Sequence, residues 1–450
     1  MARQIEQLAA FVAATRWDDI PPPVQQHTKL VLLDTLGVIL AGAARPEVLR
    51  LREQLGTGSG ATVYAHGFPL HDPRTAALLN GIAGRSIELC EGLRFVSGQA
   101  AMQVLPGVLA VGEQARSTGR EMLTALVLGY DVAARLAVGF TPRPLAHQNG
   151  QVPLLAAAAA GARLRGLDAG GISRSMRIAA TLLLTPSYTN AVAGATALNV
   201  AGGMSGFAAA LAPELALAGF EAQDDAVEQA LGELAGDGFT AEGVLHELGS
   251  TWHITRNYFR LYACCNPIHP ALDCLHQALA ELQPSPDEIA RIDFATYRFA
   301  SVMRNPDPPN FFASKYSLPH AAATMAVRGH AGHVALDDTA VHDPAIAALR
   351  HRVTVVEDPA MSALVPRLRP ARVTVVLRDG RSKTLACDSH RGDFNQPFAE
   401  TELRGKFAEL AGTALTTDGV RLVEQAIDHC ETWDSAAELT TLCRRHTAIA

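Results

Sequence analysis

The spacing of apolar residues changes period twice along this chain, and that alternation restricts the fold more than any single motif. Over the first 250 residues the period is helical, as where Leu123, Leu126, Val127 and Tyr130 recur at i, i+3, i+4 and i+7 behind a Thr118-x-x-Glu121 capping box, and the character changes near residue 285. Ala-rich runs, Leu154 to Leu164 and Met204 to Ala212, carry small residues that let helices approach closely. Ser285-Pro286-Asp287-Glu288 then offers an N-cap, an N1 proline and an acidic first turn for a short helix. Beyond it the period falls to two. Ile292, Phe294 and Thr296 alternate, His351 to Glu357 is β-branched, and Arg372 to Leu377 meets Ser382 to Cys387 across Asp379-Gly380, a hairpin signal. After Pro397 the helical period returns with Leu403, Phe407 and Leu410, then Val420 to Ile427. These changes predict a mainly α protein with an α+β second domain. Residues 1–255 and 398–450 form a large all-helical domain, and 256–397 a smaller inserted α+β lid domain.

Composition narrows the function. With 48% hydrophobic and 18% charged residues in 450, the chain suits a large buried interior. A net charge of -7, without a basic run interleaved with aromatics, argues against nucleic-acid binding. Glu6, Asp18 and Asp19 interrupt the N-terminal amphipathic segment where a secretory signal needs an apolar centre, so a cytoplasmic protein is expected. Pro153 to Ala162 is too short to span a bilayer, and Val200 to Ala218 contains Pro213 and Glu214; both read as buried helices, with no membrane partner. Seven scattered cysteines predict reduced thiols. Neither Cys264, Cys265 and His269 nor His429, Cys430, Cys443 and His446 includes a CxxC pair, so no metal is expected. Gly56 to Gly60 lacks the lysine and strand context of a phosphate loop, and Gly203-Met204-Ser205-Gly206 has the wrong spacing for a nucleophile elbow.

Fragments spread over the chain supply a further reading. They are Leu33-Asp34-Thr35-Leu36-Gly37-Val38, Ala76-Ala77-Leu78-Leu79-Asn80-Gly81, Gly129-Tyr130-Asp131-Val132 with His147, and Tyr262-Ala263-Cys264-Cys265 with His269 and Asp273. Ala313-Ser314-Lys315-Tyr316-Ser317-Leu318-Pro319-His320, Asp379-Gly380, Arg391-Gly392 and Lys406-Phe407 follow in order. The ordered set resembles the MmgE/PrpD family. The resemblance implies a helical domain built from both chain ends, an α+β lid, a homodimer, and an active site between the domains. It also implies lyase or isomerase chemistry on a small carboxylic acid without metal or organic cofactor: 2-methylcitrate dehydration, cis-aconitate decarboxylation or iminodisuccinate epimerisation.

Such chemistry needs a base, a proton donor and cations or dipoles that hold carboxylates. His147, in the loop His147-Gln148-Asn149-Gly150, resembles the family's active-site histidine, and an imidazole moves protons near neutrality. Without the resemblance it reads as a loop histidine capping a helix. His320 stands where some members place an active-site tyrosine; the alternative is a satisfied core histidine. Arg260 stands where the family often has lysine and could clamp a carboxylate, against the plainer reading of an exposed arginine. Tyr262, Cys265 and His269 could line the same wall, although adjacent cysteines are more often small core residues.

The resemblance weakens between Glu88 and Gln99. Glu88-Leu89-Cys90-Glu91-Gly92 stands where the family shows an Asp-rich run ending in threonine, with Glu88 keeping the leading carboxylate. Gln99 replaces an expected histidine and cannot shuttle protons. Asn199 lies where many members have a basic residue. Fewer cations predict a substrate with fewer carboxylates than a citrate, unless Arg94 or Arg256 compensates. The leading expectation is a hydro-lyase with His147, His320 and Glu88 catalytic and Arg260, Gln99, Asn199, Tyr262, Cys265 and His269 binding substrate. Epimerisation, decarboxylation and a non-catalytic dimeric scaffold stay open.

Overall fold

In the computed structural model, which describes residues 2–94 and 98–448, both changes of period become changes of architecture. Helices Pro22–Gly42, Pro73–Arg85, Ala100–Ala115, Gly119–Gly139, Val152–Leu164 and Val200–Leu217 pack around one apolar core. Gly119–Gly139 begins at the capping box: Thr118 Oγ1 accepts from the Glu121 amide at 3.3 Å, and Glu121 accepts from the Thr118 amide at 2.7 Å. Leu123, Leu126, Val127 and Tyr130 are all buried. Small residues set the helix spacing. A Cβ on Gly81 would stand 2.6 Å from the Gly202 carbonyl oxygen, and one on Gly161 would overlap the Ala209 carbonyl. Two helical stretches, Gly119–Gly139 and Thr196–Leu217, are long and apolar enough to cross a membrane, but 89% and 61% of their apolar windows are buried inside the protein. Most of that apolar surface is already covered by neighbouring elements.

The helical region is not purely helical. Ala61–Thr62 pairs with Leu70–His71, and Phe140–Pro142 with Gly236–Phe239. Strands of two to four residues are too short to show an alternation in sequence.

Beyond residue 285 the expected strands form one four-stranded sheet in the order Val353–Glu357, Ile289–Thr296, Ala371–Leu377, Ser382–Cys387. The first two are parallel, and the last two form the antiparallel hairpin, with Gly380 at φ +92°. Ser285-Pro286-Asp287-Glu288 forms a 3-10 turn closed by its capping box. Ile292, Phe294 and Thr296 point to the covered face, and helix His269–Leu282 packs on the two hairpin strands.

The chain then returns to its start. Helix Glu400–Ala411 lies along Pro22–Gly42 and buries Leu403, Phe407 and Leu410. Lys406 Nζ donates to Asp34 at 2.6 Å and to the Leu89 carbonyl at 2.9 Å. The core of the sheet region takes in Val38, Ala41, Ile87, Leu89 and Met102 from the helical side. A shared apolar seam therefore runs beside the segment that carries Glu88.

Candidate active site

Helix Pro73–Arg85 stops at Ser86, and the chain turns through Glu88 with φ +53°. Left-handed backbone at a non-glycine residue costs about 1–2 kcal/mol, and here the side chain supplies the compensation. Glu88 is 1% exposed. One carboxylate oxygen accepts from Arg260 Nη1 at 2.7 Å; the other accepts from Arg85 Nη1 and from the Tyr316 hydroxyl at 2.9 Å. Arg85 Nη2 donates to the same hydroxyl at 2.7 Å, and Arg260 also reaches the Glu88 and Cys264 carbonyls. Burial would raise the Glu88 carboxyl, but Arg85 and Arg260 outweigh it and hold it at about 2. Glu88 is therefore an ionised counter-ion with both oxygens occupied, an arrangement that leaves it no proton to donate near neutrality.

Across the seam, a cleft is lined from the helical side by Glu88, Gln99, His147, Asn149 and Tyr188. From the other side come Tyr258, Arg260, Cys265, Asn266, Tyr316 and Arg369, and the cavity is about 100 Å³. His147 is half-buried and stacks on Tyr188, with centroids 5.7 Å apart and planes 13° from parallel. Its Nδ1 accepts from the Asn149 amide at 3.2 Å, which assigns the ring proton to Nε2. Burial, then the nearby Arg85 charge, lowers its pKa to about 3, so the imidazole is neutral. Gln99 Oε1 accepts from Asn149 Nδ2 at 3.1 Å, and Asn149 Oδ1 accepts from Gln103 at 3.3 Å. Where a proton carrier was expected, Gln99 belongs to an amide chain that fixes the His147 loop. Cys265 is held as a thiol, its pKa pushed up to about 12 by burial and the Glu88 charge.

Glu88, Gln99, His147, Arg260 and Cys265 thus converge on one cleft; the other four expected residues do not line it among the described residues. Ser317 caps helix Leu318–Arg328, and its hydroxyl accepts from the His320 amide at 3.1 Å. His320 then enters the first turn and points into the lid core, where Nδ1 faces Arg350 at 3.4 Å. Tyr316, just before the cap, takes the place in the cleft that His320 was expected to hold. His269 is 1% exposed, bonds the Cys264 carbonyl at 3.1 Å and lies behind the wall. Tyr262 donates to Asp273 at 2.8 Å and lines a second cavity of about 390 Å³ with His333 and Lys406. Asn199 is buried at the junction of Thr196–Asn199 and Val200–Leu217. Neither compensating arginine lines the cleft: Arg94 pairs with Asp393 at 3.1 Å, and Arg256 lies over Phe394. The stretch from Glu88 to Gln99 includes residues 95–97, which lie outside the described residues.

Sequence reasoning missed Arg85, Tyr188, Tyr316 and Arg369. Tyr316 lay inside the Ser314-Lys315-Tyr316-Ser317 fragment already singled out. Arg85 is three residues before Glu88, at helical reach. Tyr188 and Arg369 occupy irregular segments with no pattern to mark them.

Comparison with known proteins agrees with this architecture. The MmgE/PrpD N-terminal domain model matches residues 6–237, and the MmgE/PrpD C-terminal domain model matches residues 262–431. Cis-aconitate decarboxylase of Aspergillus terreus is 23% identical over 91% of this chain and 89% of its own length. The cis-aconitate decarboxylase-like protein oryM of Aspergillus oryzae is 24% identical over 97% and 96%. Cis-aconitate decarboxylase of Homo sapiens is 23% identical over 98% and 94%. With both domain models matched in order over most of its length, the chain belongs to the MmgE/PrpD family.

Proposed function

We propose that the protein is a lyase of small organic acids in which His147 moves the proton at a carbon beside a carboxylate, with no cofactor or metal. One observation carries this reading: a neutral imidazole and a buried cluster of net positive charge share a single cleft. The imidazole is neutral and has one lone pair, on Nδ1, which accepts a proton when it gives up the 3.2 Å contact from the Asn149 amide. Arg85 and Arg260 outnumber Glu88, so the cluster has a charge of one positive unit to set against negative charge developing on the substrate. In a dehydration, His147 takes the C–H proton, the electron pair forms the new double bond, and hydroxide departs with that proton as water.

A second reading is favoured by the names of the relatives, which are cis-aconitate decarboxylases or like them. There the C–C pair stays on the substrate carbon as CO2 leaves, and that carbon takes a proton from a water held by the Nε2–H of the neutral His147. Epimerisation would use the same transfer in both directions. Because Arg94 and Arg256 are engaged elsewhere, the substrate proposed has fewer carboxylates than a citrate. A homodimer in the cytoplasm, binding neither nucleic acid nor membrane, belongs to the same proposal.

The test is incubation in D2O with hydroxy and unsaturated acids bearing one, two or three carboxylates, followed by proton and carbon NMR. Deuterium at the carbon beside the carboxylate, with alkene formation, supports elimination. Release of labelled CO2 supports the second reading. If every acid is returned unchanged and unexchanged, the lyase is overturned in favour of a non-catalytic scaffold. Rapid turnover of tricarboxylates would overturn the substrate size.

A further inference from the structure

Two guanidiniums line the cleft among the described residues, those of Arg260 and Arg369. Arg260 is committed to Glu88 at 2.7 Å. Arg369 is held differently, because the acceptors that fix it are neutral. Its Nη1 donates to Asn266 Oδ1 at 2.6 Å and its Nη2 to the Arg94 carbonyl at 2.6 Å. Asp393, the acid beside the Arg94 segment, is taken by the Arg94 guanidinium at 3.1 Å and the Ser389 hydroxyl at 2.9 Å.

The Asn266 amide is oriented by a chain of neutral hydrogen bonds. His390 Nδ1 donates to the Arg391 carbonyl at 2.7 Å, which leaves Nε2 to accept from Asn266 Nδ2 at 2.9 Å. Asn266 is then obliged to turn its oxygen toward Arg369. His390 is buried, and that burial keeps its imidazole neutral. Arg369 is therefore a cation in a fixed pose whose hydrogen bonds offset none of its charge. A fixed planar fork of this kind suits a carboxylate, which it can grip with two parallel hydrogen bonds.

We infer that Arg369, oriented by Asn266 and His390, is the anchor for a substrate carboxylate, and that the cleft takes one such group at this position. The inference rests on the lyase reading for the identity of the substrate but not for the binding. The Arg85–Glu88–Arg260 cluster then stays available for the charge that develops at the reacting carbon. Anchor and reaction centre become two separate cationic positions. Asn266 and His390 are positioning residues, since they act through Arg369.

Calorimetric titration of the full chain with simple monocarboxylates, crotonate as the reference probe, tests the anchor. R369Q is expected to weaken the binding of crotonate about tenfold or more, R369K to recover part of the loss, and the exposed control R372Q to leave it unchanged. H390F should weaken binding less than R369Q, and in any active assay should raise KM with little change in kcat. Equal affinity in wild type and R369Q, or no binding of any monocarboxylate by the wild type, would overturn the anchor. Arginine-dependent binding without deuterium exchange would leave the anchor standing and remove the lyase.

Discussion

At the scale of single residues, the state of His147 decides what the cleft can do. Its reference value of 6.5 is lowered to about 3 by burial and by Arg85, so the neutral form persists from about pH 4 upward. A base with that value gives kcat/KM no acid limb near 6.5. A rate profile between pH 5 and 8 should be flat with respect to this group, and a tenfold fall per unit below 6.5 would contradict it. H147Q keeps a polar group but no proton relay and should lower kcat by about 100-fold or more, with the melting temperature little changed. Glu88 carries the opposite expectation, because its work is structural. E88Q leaves Arg85 and Arg260 buried without a full counter-charge, which should cost about 3–5 kcal/mol of stability in urea unfolding; an unaltered midpoint would refute the role of counter-ion. Residue identity made His147, Glu88 and Arg260 legible, because chemistry limits which side chains can carry protons and charge. It could not show that Glu88 is fully occupied, since Tyr316, which shares its second oxygen with the nearby Arg85, comes from 228 residues away and becomes a neighbour only after folding.

At the scale of elements, the site depends on where helices stop. Arg85 ends one helix and Glu88 turns out of it, so a shift of Pro73–Arg85 moves half of the cluster. Its position is fixed where Gly81 meets Gly202 and Gly203 at backbone distance. G81V inserts a branched side chain where a single Cβ already lies 2.6 Å from the Gly202 oxygen. Overpacking of that kind costs about 1–3 kcal/mol and should lower activity by more than the fraction unfolded, measured by comparing turnover with the unfolding curve. Loss of stability with activity per folded molecule unchanged would show that the helix contact does not position Arg85. Most elements were legible because periods of 3.6 and 2 follow from backbone geometry. His320 was misplaced relative to the cleft for a local reason: Ser317 caps helix Leu318–Arg328, which directs His320 inward and leaves Tyr316 lining the cleft.

At the scale of the whole molecule, ion pairs join the chain's two ends, and that between Lys406 and Asp34 reaches the site. Lys406, in the returning helix Glu400–Ala411, joins Asp34 of helix Pro22–Gly42 and also holds the Leu89 carbonyl beside Glu88. Lys406 is 7% exposed and Asp34 1%. Burial raises the Asp34 pKa, with the Lys406 charge opposing it. K406M removes the cation and strands a buried carboxylate, which should cost about 3–5 kcal/mol. In K406M the Asp34 carboxyl loses its main opposing charge, so its folded pKa should rise further above its unfolded value. Stability of K406M should accordingly fall more steeply with rising pH than that of the wild type, because the unfolded state releases the proton first. The double variant D34L/K406M replaces both charges with apolar groups and should recover much of the lost stability. Activity should not recover with it, because the Leu89 carbonyl still lacks its donor and the Glu88 turn loses a tether. Recovery of both together would mean that the pair serves only folding; recovery of stability alone ties the chain's closure to the geometry of the cleft.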